Sequence, residues 1–149
     1  MKKHMTRFFA LFGFLFVLAA APAFAQSGPT VAADIPFDFS VANRTLPAGE
    51  YTVKGGPTAG TILVRNDDGK GAVSVLAQSA HSNGEAKKAM LVFRRYGNQY
   101  FLAKVTYVDG SDGREIMMSK TEKRLIKGSD RLAQNQVEPE IVTVIATLQ

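Results

Sequence analysis

"AMLVFRRYGNQYFLAKVTYV", residues 89–108, is the stretch on which the fold turns. Two runs of β-branched and aromatic residues flank Gly97 and Asn98, and a glycine in the first position of a two-residue loop suits a type II′ hairpin. Such a turn sets Arg94 opposite Phe101, Val92 opposite Ala103 and Met90 opposite Val105 on one face, with Phe93 opposite Leu102 on the other. Both faces carry apolar residues. The hairpin is therefore expected in the middle of a sheet covered on both sides, rather than as a solvent-facing flap.

Working outward, the same two-residue period recurs. From Asp34 to Ala42 the apolar Ile35, Phe37, Phe39 and Val41 alternate with Pro36, Asp38, Ser40 and Ala42, which predicts a strand with one buried face. Pro36 cannot donate to a ladder and places that end at a sheet edge or a strand start. "ANRTLPAG" then reads as a turn, and "EYTV" begins a return strand with Tyr51 and Val53 on one face. "TILVRN" and "AVSVLAQS" form a further hairpin across "DDGKG", and "IVTVIATL" reads as the last strand. Between them "SKTEKRLIKG" supplies Ser119 as an N-cap, Glu122 three residues on and Gly128 as a stop, predicting one short helix from about Lys120 to Lys127. The pattern as a whole is all-β: a single small sandwich or barrel of about seven strands with one short helix near the C-terminus.

The N-terminus carries a different signal. "MKKHMTR" is basic, residues 8–21 are apolar and "PAFA" ends in a small-x-small site, the order of a secretory signal. The apolar run is shorter than the roughly 20 residues that span a bilayer as a helix. Cleavage is expected after Ala25, leaving residues 26–149 as one β-rich domain with no stable membrane span, in the periplasm or outside the cell. The formal charge then falls from +5 to +2, because Lys2, Lys3 and Arg7 leave and no acid does. So small an excess argues against nucleic acid as a partner. The chain has no cysteine, which excludes disulfides, thiolate metal sites and thiol catalysis.

Three segments resemble a known set. At "IPFDFSVANRTLPAGEYTV", "VFRRYGNQYFLAKV" and "GREIMMSKTEKRL" the chain is similar to small signal-peptide-bearing bacterial exported proteins of unknown function. In that set a residue like Leu or Pro is common where Met117 and Met118 stand here, which implies a differently built entry to the helix. "LPAGEYTV" also resembles the G-x-Y-x-V strands of prealbumin-like and carbohydrate-binding-like β-sandwiches, a motif that encodes a turn and a buried tyrosine. Neither resemblance implies catalytic residues.

The residues able to carry chemistry are few. His81 is the single histidine after cleavage, and although Glu85 follows it by four, Asn83 and Gly84 break helices, so an exposed loop histidine is expected and no metal is assigned. Asp67 and Asp68, and Asp109, Asp112 and Glu115, read as turn residues, since neither group has the spacing of a calcium loop. Ser111 in "GSDG" lacks the setting of a nucleophile elbow. Tyr96 and Tyr100 beside Arg94 have the composition of a ligand platform, with core packing as the alternative. Lys120, Lys123, Arg124 and Lys127, with Arg131 beyond them, form a basic cluster, offset by Glu122 and Asp130, suited to an anionic surface. Asn43 in "NRT" fits a glycosylation sequon. The expectation is an exported, non-catalytic domain that binds an envelope polymer or another exported protein and needs no cofactor. The alternatives are a small carbohydrate- or ligand-binding module and a carboxylate-based hydrolase.

Overall fold

The computed structural model of the chain describes residues 28–69, 71–80, 88–107, 113–133 and 138–149. Among these residues eleven strands and one helix follow in order: β1 (Val31–Ile35), β2 (Phe39–Val41), β3 (Arg44–Leu46), β4 (Gly49–Gly55), β5 (Thr61–Asn66), β6 (Ala72–Ala80), β7 (Met90–Tyr96), β8 (Gln99–Thr106), β9 (Gly113–Ile116), α1 (Lys120–Ala133), β10 (Glu140–Ile145) and β11 (Thr147–Leu148). The all-β class with one short helix is thus the observed one. Among the described residues no helix is long and apolar enough to cross a membrane.

The strand order is β10-β7-β8-β9-β6-β5-β4-β1-β11. Two segments serve two neighbours each. β6 pairs with β5 through residues 72–76 and with β9 through residues 77–80. β10 pairs with β7, and one residue later β11 pairs with β1. Strands that change partner midway are how two packed layers share a corner. Both layers face one cluster of buried side chains, among them Val31, Ile35, Phe39, Tyr51, Ile62, Val64, Leu91, Phe93 and Val105.

The β7-β8 hairpin sits inside this order, with β10 on one side and β9 and β2 on the other. Its turn is as read: Gly97 has φ +59, Asn98 has no positive φ, and Tyr96 pairs with Gln99. Arg94 faces Phe101 and Phe93 faces Leu102. Beyond that point the expected register fails, because Val92 pairs with Lys104 and Met90 with Thr106. Ala103 is an extra residue on β8, a bulge that lets Phe101, Leu102 and Ala103 all be buried in succession.

The opening hairpin is also built differently. Pro36 breaks the expected single strand into β1 and β2, with Ile35, Phe39 and Val41 buried and Phe37 half-buried as the alternation requires. β1 pairs with β4, while the stretch read as a turn contains β3, which pairs back on β2 around Ala42 and Asn43. The strand count exceeds the expected seven for this reason, because β9 is a further strand, and because "IVTVIATL", expected as one strand, divides at Ala146 into β10 and β11.

Gly97→Val is expected to lower stability by about 1–3 kcal/mol. No atom would touch an added Cβ there, so the cost is that of holding a β-branched residue at φ +59. Urea unfolding checks it, and a variant as stable as the parent excludes the turn as built.

Candidate cationic site on the helix

Helix α1 begins where the cap places it. The Glu122 N–H donates to Ser119 Oγ at 3.1 Å, and the Lys123 N–H donates to the Ser119 carbonyl at 3.0 Å. A second anchor comes from the β2-β3 turn, where Asn43 Oδ1 accepts from the Thr121 N–H at 3.4 Å and from its hydroxyl at 3.2 Å. Asn43 therefore ties the helix start to the sheet. Gly128 does not end the helix, which runs on to Ala133. A glycine stops a helix by turning left-handed, and Gly128 has no positive φ.

Below the first turn, Glu122 is buried with 1% of its surface exposed. Arg94 grips it with two bonds, Nε to Oε1 at 2.6 Å and Nη2 to Oε2 at 3.2 Å, and the Tyr96 hydroxyl donates to Oε1 at 3.3 Å. Arg94 Nη2 also reaches the Ile116 carbonyl at 3.5 Å. Two-point binding of a carboxylate by a guanidinium is a strong, directional contact. Burial raises the Tyr96 hydroxyl above its ordinary value of 10.0, Glu122 pushes it the same way, and Arg94 opposes. Tyr96 so remains a donor. The stability tied to its proton is complete below the unfolded value and is lost as pH rises through the folded one.

This arrangement changes the charge of the helix surface. Lys120, Lys123, Arg124 and Lys127 are all exposed. At 3.6 residues per turn they fall within a sector of about 100°, with Glu122 on the opposite side. Among the described residues the ion pairs are Arg94–Glu122 and Arg95–Glu140, so none of the four helix cations is paired there. Of the two acids read from sequence as offsetting the cluster, Glu122 is turned inward, and the side chain of Asp130 lies outside the described ones.

The expected aromatic platform is divided. Arg94 and Tyr96 lie on the outer face of β7 under α1, whereas Tyr100 pairs with Arg95 on the inner face. Tyr100 stacks on Phe37 at 3.9 Å between ring centroids, and the Arg95 guanidinium lies 5.4 Å from its ring centre. Arg94 and Tyr96 share the outer face, and Tyr100 is separated from both by the sheet. Asp67 and Asp68 lie in a turn as read, Asp67 accepting from the Thr52 hydroxyl at 2.8 Å, whereas Glu115 is a strand residue of β9, exposed and paired between Gln78 and Lys104. His81, Glu85, Asp109, Ser111, Asp112 and the signal segment lie outside the described residues.

Two features escaped the sequence reading. One is the Arg94–Glu122–Tyr96 unit, whose signal was an arginine on a covered face of a central hairpin, a position that demands a carboxylate. The other is a cleft of about 370 Å³ lined by Asp34, Glu50, Tyr51, Asp67, Ile145 and Gln149. Asp34 and Glu50 are cross-strand partners, and like charges placed so repel. Among the described residues no three His, Cys, Asp or Glu side chains are grouped to hold a metal ion. No family model, no curated protein and no solved structure matches the chain.

Proposed function

We propose that this is an exported, non-catalytic β-domain, of the kind of the small signal-bearing bacterial proteins it resembles, that binds an anionic envelope surface through helix α1. One observation carries the reading: Glu122 is committed to Arg94 beneath the helix, so Lys120, Lys123, Arg124 and Lys127 form an outward face uncompensated by it. Cations on a rigid element, held by a capped N-terminus and a buried ion pair, are positioned to meet a row of anionic groups at no cost in ordering the backbone. The signal segment accounts for delivery, with an N-terminus at Gln26 expected in the mass spectrum of the exported species.

The test uses vesicles with anionic headgroups and a soluble anionic polysaccharide as two separate probes. Binding to at least one of them should weaken as salt rises, because exposed charges are screened beyond about 8 Å at physiological ionic strength. Replacing Lys120, Lys123, Arg124 and Lys127 by Gln should abolish that binding while the melting temperature hardly moves, since exposed charges contribute little to stability. Equal retention of parent and variant at low and high salt removes the helix as the site.

A further inference from the structure

We infer that β10 is a dimerisation edge, joining two copies of this chain by antiparallel pairing about a two-fold axis at Thr143.

Four observations converge on this strand. Among the described residues β10 pairs with β7 alone, and its other edge is unpaired from Glu140 to Ile145, although β1, which pairs with β11 on that side, comes alongside its C-terminal end. No residue of β10 is fully buried, although four of its six are Ile or Val; Ile141 is 60% and Ile145 65% exposed. Natural edges are usually blunted by lysine, proline or a bulge. Between Ile141 and Ile145 there is none of these, and the one charge, Glu140, is paired with Arg95 at 3.1 Å.

The fourth observation selects the occupant. Residues 141–145 read Ile-Val-Thr-Val-Ile, the same in both directions. A two-fold interface is self-complementary, so a residue meets its mirror position on the other copy. An axis at Thr143 sets Ile141 against the second copy's Ile145, Val142 against its Val144, and Thr143 against itself. Every pairing is then β-branched with β-branched, the kind of cross-strand pair that stabilises a sheet. A partner of another sequence would not need this symmetry.

Backbone geometry agrees. The Ala146 N–H donates to the Ala89 carbonyl at 2.8 Å, in line with the β10-β7 ladder. By the alternation of an antiparallel ladder, the groups of Glu140, Val142 and Val144 also point to β7, leaving those of Ile141, Thr143 and Ile145 aimed at the open edge. These are the residues an axis at Thr143 would bond. At the far end β1 diverges from β10 around the cleft lined by Ala33, Asp34, Ile145 and Thr147, and a second copy's Ile141 would enter there beside Ile145. Ile141 is the cross-strand partner of Arg94, which lies under α1. Pairing would therefore place the two helices on one face of a joined sheet, the two Arg94 positions roughly 20 Å apart from the strand spacing and rise.

The purified chain is examined by sedimentation across the micromolar range. The expected result is a monomer–dimer equilibrium. Thr143→Pro should yield a monomer with unchanged unfolding, because its lost N–H serves only the open edge and proline is tolerated there. A charge exchange provides the second arm. Ile141→Lys with Ile145→Lys, and separately Ile141→Glu with Ile145→Glu, should each weaken self-association by about tenfold or more, while an equimolar mixture restores a heterodimer. A chain that stays monomeric throughout, or a dimer indifferent to the proline and to both charge sets, overturns the inference.

Discussion

Glu122→Gln is expected to destabilise the protein by about 3–5 kcal/mol, the usual result of removing one partner from a buried ion pair. Arg94 has 11% of its side chain exposed and Glu122 2%, so solvent cannot substitute for the lost charge without the helix moving. The amide would keep one acceptor oxygen but turn an NH2 donor towards either the guanidinium or the Tyr96 hydroxyl, and both would lose a charged acceptor. Two routes of loss are distinguishable. If the helix holds its place, the whole urea transition shifts. If it lifts away, Arg94 regains water, the main transition moves less, and the helical signal melts before the sheet. The double change Arg94→Met with Glu122→Leu should recover most of the loss, because the costs of desolvating two charges disappear together. A single variant within about 1 kcal/mol of the parent, with the helix signal intact, would mean that the pair does not hold α1.

That pair also shows where the sequence was legible and where it was not. Local rules located the β7-β8 turn, because Gly97 and Asn98 state their own backbone need, and Ser119 named the start of the helix. Alternation put Ile35, Phe39, Val41, Tyr51 and Val53 inside, as observed. The bulge at Ala103 was hidden, since Phe-Leu-Ala-Lys-Val is compatible with either register and the choice is made by packing against β9 and the core. Gly128 misled for a related reason: a glycine only permits a stop, and the residues after it continued the helix. The site was legible as a list of cations. What sequence could not show was the destination of Glu122, whose partner lies 28 positions earlier on another element. Burial of Glu122 takes one of the helix's two acids away from the face that carries the four cations.

Tyr51→Ala is expected to cost about 3–5 kcal/mol, the range for truncating a large buried aromatic side chain. Tyr51 is among the largest fully buried side chains of the protein, and its ring meets Phe39 edge-on at 5.0 Å between centroids, which couples β4 to β2 through the core. The polar end is served too. Its hydroxyl donates to the Pro47 carbonyl at 2.7 Å, four residues back, and so clips the turn that leads from β3 into β4. Gly49 stands between them at φ +150, a conformation that side-chain-bearing residues rarely adopt. "LPAGEYTV" is thus a turn, a permissive glycine and a tyrosine that locks both, which accounts for its pattern without any ligand. Separating the two roles needs a second variant. Tyr51→Phe keeps the packing and drops the bond, leaving the Pro47 carbonyl to find water, and should cost about 0.5–1.5 kcal/mol. Urea unfolding of both variants resolves the contributions, with the alanine loss several times the phenylalanine loss. Equal losses would place the stabilisation in the hydroxyl clip rather than the ring, and a Tyr51→Ala protein as stable as its parent would remove β4 from the centre of the core.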